Sequence, residues 1–306
     1  MPFTTPGNHE SANVFIDYNK CDGCGQCTDV CKEFSFTIVN QKVVRAEKSF
    51  SDCVACGHCM MACPLGVIAV EGRSLSPVQM FELPDKSGVT SYKSFLTLLQ
   101  HRRSTRDFKD KAVEVEKVNQ ILEAAQTAPM CIPPSGVHVM VLENKQSVHN
   151  FAVDFSNYLT AIRWKSSNWY LAFTLPFLRK NRNFHLQGLI QPVFNSYIDN
   201  MKKGVNRINY DAPLAMYFYG SPDSDPSDAI IAATYAMLAG ESLGLGTCII
   251  GGIHPYIQKG KKARLFREKQ GIKHSSREGL FVVFGYTDVV YNKGVKRSFA
   301  EINRIS

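Results

Sequence analysis

Eight of the ten cysteines lie in two runs of identical spacing, Cys21, Cys24, Cys27 and Cys31, then Cys53, Cys56, Cys59 and Cys63. A segment so rich in thiols and so poor in bulky side chains cannot close an ordinary apolar core, so it must be organised around something that sulfur binds. The first residues, MPFTTPGNHESANVF, contain no basic stretch followed by an apolar run. That predicts a cytoplasmic protein, in whose reducing surroundings clustered thiols point to metal or redox chemistry rather than disulfides. Short apolar segments, FSFTIV and LGVIAV, follow the two runs. Val14 to Val70 therefore reads as two copies of one unit, expected to pack about a pseudo-twofold axis.

The spacing C-x2-C-x2-C-x3-C, with Pro64 after the second copy, resembles that of bacterial two-cluster ferredoxins, in which the fourth cysteine of each run serves the other cluster. The resemblance implies two 4Fe-4S clusters, one on Cys21, Cys24, Cys27 and Cys63, the other on Cys53, Cys56, Cys59 and Cys31. Gly23, Gly25 and Gly57 suit the tight loops required. Lys32 departs from the family pattern, which has proline there. His58 is read as a surface or potential-tuning residue, because cysteines fill all the ligand positions. The competing use of such thiols is a pair of structural zinc sites, but zinc usually takes two separated pairs, whereas four close thiols occur here twice.

The remainder is a different kind of protein. The sequence predicts a ferredoxin-like domain over residues 1–71 and a linker over 72–90, marked by Pro77, Pro84 and Gly88. A larger domain is expected over 91–306. In the larger domain, SYKSFLTLLQHRRS reads as a helix with Ser91 as N-cap and Phe95, Leu98 and Leu99 on one face. VEVEKVNQILEAAQ reads as a second, with Val115, Val118, Leu122 and Ala125 inward. Strands are expected from Val137, Leu214 and Gly279. Helices and strands mix without regular alternation, so the fold class is α+β: a small two-cluster domain followed by an α+β sandwich. An aromatic, basic insert at about 150–211 reads first as core or dimer-contact helices, and second as a substrate lid. The apolar stretch from Ala229 to Ile253 is broken by Glu241 and glycines, so no membrane span is expected. The net charge of +8 is spread without a basic run, so nucleic acid is not an expected partner.

HRRSTRDF, residues 101–108, gathers Arg102, Arg103, Ser104 and Arg106, a set suited to a phosphate. A solvated basic helix end would show the same composition. The segment resembles the nitroreductase family of FMN flavoproteins, whose first long helix ends in an Arg-x-Ser-x-Arg/Lys pattern. Three further segments resemble that family in order: AAQTAPMCIPPSG from Ala124, GESLGLGTCIIGGI from Gly240 and GLFVVFGYTDVVYNKGVKRSF from Gly279. The resemblance implies FMN contacts from Arg102, Arg103, Ser104 and Arg106, from Pro129, Met130, Cys131 and Ile132 through backbone groups, from Ile250, Gly251 and Gly252 at a helix end and turn, and from Lys296 and Arg297. Cys131 has no His or Asp at motif spacing to activate it, and Cys248, in an apolar run, is expected in the core. A homodimer is also implied.

These expectations combine into an FMN-dependent oxidoreductase fed by two 4Fe-4S clusters and reducing a small electrophilic acceptor: a nitroaromatic, a quinone or an activated alkene. No side chain is nominated as catalytic, since the flavin carries the chemistry. The alternatives are an electron-transfer module serving a protein partner and, within the enzyme class, a dehalogenase. The donor is expected to be a ferredoxin or NAD(P)H; no G-x-G-x-x-G marks a Rossmann site.

Overall fold

The computed structural model describes residues 12–31, 36–40, 42–45, 53–132, 134–166 and 191–305. They form two compact units. One comprises residues 1–89 with 129–138 and 220–228, the other 90–128 with 139–219 and 229–306.

In the first unit, β1 (Asn13–Ile16) pairs antiparallel with β4 (Ile68–Glu71), and β2 (Phe36–Val39) with β3 (Lys42–Arg45). Two one-turn helices, α1 (Gln26–Val30) and α2 (His58–Ala62), follow the thiol loops. Their N-caps, Gly25 and Gly57, have nearly the same left-handed conformation, φ 80° and ψ −5° against φ 76° and ψ −5°. The repeat seen in the sequence is thus a repeat of backbone. At Gly25 the left-handed backbone favours glycine, and a Cβ would also lie a tight 3.1 Å from the Ile38 side chain. The core here is small: Val43, Met60, Val67, Ile68 and Val70, with Cys27 and Cys59 among its buried members.

The second unit is built on a four-stranded sheet of order β5 (Val137–Leu142), β6 (Leu214–Gly220), β8 (Gly279–Gly285), β7 (Gly246–Ile250). β8 runs antiparallel to both neighbours, with Tyr217 opposite Phe281 and Cys248 opposite Val283. Every residue of β6 is buried, which is why LAMYFYG reads as a continuous apolar run rather than an alternation. The predicted strands are present. β7 is an addition, because its segment reads from sequence as a helix end and turn; here α7 (Pro226–Ser242) ends first and a strand follows. Gly246 at its start is forced: a Cβ there would lie 2.8 Å from Thr105.

α5 (Lys145–Ile162) shows how the sequence makes the core. Asn144 caps it, accepting from the Ser147 N–H at 2.8 Å while the Ser147 hydroxyl receives the Asn144 N–H. Val148, Phe151, Ala152, Phe155, Leu159 and Ile162 then recur at helical spacing and are all buried. Phe151 and Phe155 meet Phe266 edge-on, at 5.6 and 5.8 Å. α6 (Gln191–Lys202) adds Phe194 and Ile198 to the same core. The described ends of the aromatic stretch at 150–211 are therefore core helices, and 167–190 lies outside the described residues.

Two helix faces differ from expectation. In α4 (Val115–Gln126) the buried residues are Val118, Ile121 and Ala125; Val115 is exposed and Leu122 half-buried. Val115 is the first helical residue, after the N-cap position Glu114, whose side chain makes no capping hydrogen bond. α3 (Tyr92–His101) starts at the predicted cap, Ser91, but buries none of its residues, leaving Phe95 and Leu99 exposed.

Replacing Phe155 by alanine is expected to destabilise the second unit by about 3–5 kcal/mol through the cavity left behind. Lys202→Ala, on the surface, should change stability by less than about 0.5 kcal/mol. Urea unfolding followed by tryptophan fluorescence and circular dichroism measures both.

Candidate functional site

Each thiol set surrounds a cavity, and each set draws on both runs. Cys53, Cys56, Cys59 and Cys31 line a cavity of about 340 Å³ together with Val14, Ile16, Phe36 and Val70. Cys21, Cys24, Cys27 and Cys63 line a second, smaller one beside Val43, Val67 and Ile68. The crossing follows from the fold. Cys31 and Cys63 are the C-caps of α1 and α2, one helical turn beyond the loops, and the two helices pack together.

The electrostatics give the same grouping. Burial pushes the Cys59 thiol up to about 12, and the neighbouring Cys53, Cys31 and Cys56 push in the same direction. Cys27 is raised by burial, then by Cys63 and Cys24, against lowering by backbone hydrogen bonds. Four thiols so placed resist ionising alone, because each thiolate would face others in an apolar setting. A polynuclear cationic group would reverse that balance, so the donor set fits an iron–sulfur cluster. Among the described residues, no three His, Cys, Asp or Glu side chains converge on a point as ligands of a single ion. His58 lines the larger cavity.

In the second unit the sheet edge positions a different chemistry. The Thr105 N–H donates to the Thr247 carbonyl at 2.8 Å and Ser104 forms a parallel bridge with Thr247, so the segment after α3 runs along β7. Further on, the Lys109 N–H reaches the Tyr286 carbonyl at 2.8 Å, beyond the end of β8. The end of α3 and the tail after β8 thereby enclose a cavity of about 600 Å³. Leu99 to Arg103 line one side and Tyr291 to Arg297 the other. Arg102, Arg103, Lys293, Lys296 and Arg297 all contribute to it.

Arg103 is partly committed: its Nη1 donates to the carbonyls of Gln100, at 2.6 Å, and Arg102, at 2.8 Å. Its Nη2 lies close to Gly294, 2.9 Å from where a Cβ on that residue would stand. Arg102 has an acidic neighbour in Glu241. Burial holds that carboxyl above its ordinary range, while Thr247, whose hydroxyl donates to Oε1 at 2.6 Å, and Arg102 draw it down. An arrangement of several guanidinium and ammonium groups around open space binds a phosphate or another dianion.

Not every expected contact gathers at that cavity. Ser104 and Arg106 are absent from its described lining. Both stand by Cys248, whose thiol burial raises and whose partners Arg106 and Ser104 lower; Arg106 also lies 6.0 Å from the centre of the Tyr210 ring. Cys248 is buried, as its apolar surroundings imply, but the charges beside it leave no trace in its local sequence. Ile250 is buried and ends β7, and Gly251 and Gly252 form the turn after it. A Cβ on Gly252 would come within 2.5 Å of the Tyr197 hydroxyl oxygen.

Pro129, Met130, Cys131 and Ile132 belong to the first unit. Pro129 and Cys131 are exposed, Met130 and Ile132 half-buried. The Cys131 N–H donates to Asp228 Oδ1 at 3.0 Å, so it is the backbone of Cys131, not its thiol, that engages the acid. Lys293, His101 and Asn292 were missed from sequence. The signal for Lys293 was its place in the same basic tail, three residues before Lys296.

Residues 99–286 match the model of the Nitroreductase family, and residues 20–67 match that of the 4Fe-4S dicluster domain. Among solved structures, the chain is similar to a nitroreductase with bound FMN from Desulfitobacterium hafniense DCB-2, at 22% identity and TM-score 0.47, over 67% of this chain and 97% of that one. It is also similar to a nitroreductase with bound FMN from Bacteroides fragilis NCTC 9343, at 20% identity and TM-score 0.48, over 68% and 98%. No curated protein matches the chain.

Arg103→Ala is expected to weaken binding of a phosphate-bearing ligand by at least about tenfold, on the order of one charge-assisted hydrogen bond. Lys296→Ala, a point charge without a fork, should weaken it less. Fluorescence titration with FMN at two salt concentrations measures both effects, the wild-type affinity falling as salt rises.

Proposed function

Because this chain belongs to the nitroreductase family, we propose that it is an FMN-dependent oxidoreductase whose dicluster unit supplies the electrons used to reduce a small electrophilic organic acceptor. A nitroaromatic, a quinone or an activated alkene has the required chemistry. The observation that carries this reading is the coexistence, in one chain, of two thiol-lined cavities and one polycationic cavity at the end of α3. The thiol sets suit groups that move single electrons, and the cationic cavity suits the phosphate of a flavin.

Cys21, Cys24, Cys27 and Cys63 would hold one cluster, and Cys53, Cys56, Cys59 and Cys31 the other. Arg102, Arg103, Lys296 and Arg297, with Lys293, would hold the FMN phosphate, and Gly251 and Gly252 offer backbone without side-chain bulk at the turn after β7. Ser104 and Arg106 are kept in this reading as FMN contacts from the segment that runs beside β7. FMN, when bound, accepts electrons singly and releases them singly or as a pair, which suits one-electron donors and a two-electron acceptor. The donor is a reduced ferredoxin or NAD(P)H.

The reading divides the chain into a cluster domain over 1–71, a linker over 72–90 and a flavin domain over 91–306. It also includes a homodimer. That is supported by apolar surface that the single chain leaves open, Phe95 and Leu99 on α3 and Val290, Val295, Phe299 and Ile302 on the tail.

The anaerobically prepared protein is expected to contain about eight irons, about eight sulfides and one FMN per chain. Its mass in solution should be twice that of the chain. Cys63→Ser should lose the cluster of the first loop although it lies in the second run, seen as a fall in iron to about half. Reduced ferredoxin should bleach the flavin in the wild type. Rapid flavin reduction by NADPH in a variant lacking both clusters would overturn the clusters' place as the obligatory inlet.

A further inference from the structure

The two thiol loops share a backbone but differ in what surrounds it. Position by position, Asp22 stands where the second run has Val54, Gly23 where it has Ala55, and Gln26 where it has His58. Gly23 and Ala55 are both left-handed, φ 73° and 57°, as are Gly25 and Gly57. Electrostatic differences between the loops therefore come from side chains. The first run carries two carboxylates that the second lacks, Asp22 and Asp29 against Val54 and Met61, and Asp22 is the one within the loop, before α1 begins. Its Oδ1 accepts the N–H of Cys24 at 3.1 Å, which fixes the carboxylate beside the one exposed thiol of the eight. Lys20, the nearest cation in sequence, is engaged by Asp17 at 3.3 Å. In the second loop the same position is the half-buried, apolar Val54.

We propose that Asp22 is a potential-tuning residue that makes the two clusters electrochemically unequal, lowering the reduction potential of the one held by Cys21, Cys24, Cys27 and Cys63. The inference rests on the two-cluster reading above. Reduction adds negative charge to a cluster, and a carboxylate fixed next to a ligand opposes it. By taking the Cys24 N–H, Asp22 also withdraws a backbone donor from the surroundings of the sulfur, and hydrogen bonds to cluster sulfurs are among the determinants of potential. Both effects act in the same direction. Solvent at Cys24 screens the charge and keeps the effect moderate. The consequence is directional: one electron, with no proton, is favoured to pass from the Cys24 side to the Cys56 side.

The experiment is an anaerobic redox titration of the full-length, cluster-loaded protein followed by electron paramagnetic resonance. Asp22→Asn keeps the acceptor for the Cys24 N–H and removes only the charge. It should raise one of two midpoint potentials, seen as about a 3- to 10-fold rise in the reduced-to-oxidised ratio at fixed applied potential, and leave the other in place. Asp22→Val, which also frees the N–H, should raise the same potential at least as far. Val54→Asp should lower the other one, and it answers the question even where the Asp22 variants load poorly. Unmoved potentials in variants with full iron and sulfide, or equal shifts of both, would overturn the proposal. A wild-type protein without about eight irons would overturn the two-cluster reading itself, and this inference with it.

Discussion

The dicluster unit depends on two left-handed turns that set eight thiols around two small spaces. Gly25 and Gly57 set the direction, and the one-turn helices that follow deliver Cys31 and Cys63 to the opposite cavity. A unit with so few buried apolar side chains has little else to hold it. Thiols occupy positions that aliphatic residues would fill in an ordinary core, so whatever binds the thiols also contributes to folding.

The second unit solves the opposite problem. Its core is large and aromatic, with Phe151, Phe155, Tyr217 and Phe281 fully or almost fully buried, and it carries the charged site at its margin. The strand β7 is the hinge of that arrangement in a chemical sense. Its inner residues pack, its first residue must be glycine to admit Thr105, and its backbone carries the Ser104–Thr105 segment that leads back to Arg102 and Arg103. Charge is thus assembled from the end of a helix and an irregular tail, both anchored to one rigid sheet. Burying those cations in the sheet would have required a partner for each.

The proposed tuning by Asp22 and the cationic cavity make one physical point. In both places the backbone supplies position and a few side chains supply potential: a single carboxylate at one loop, five cations around an open space at the other. This division explains why the two thiol loops can superpose in conformation and still differ in electrostatics.

Much was legible in the sequence because the constraints there are local. Cysteine spacing reports a loop, so two cavities with four thiols each could be anticipated, and the caps at Ser91 and the strands from Val137, Leu214 and Gly279 follow from propensity and apolar runs. The gathering of Arg102 and Arg103 with Lys296 and Arg297 was reachable only through a family resemblance, since nearly two hundred residues separate them. What the tertiary structure alone decided were the non-local matters. β7 is a strand because β8 offers an edge, not because GTCII demands it. Ile121 is buried and Leu122 only half-buried, a choice made by packing, since helical spacing allows both on the apolar stripe. Arg106 and Ser104 turn to Cys248, and Arg102 finds Glu241, because packing brings them there. Spacing records the chemistry of neighbours along a chain; only the folded sheet determines which distant groups become neighbours in space.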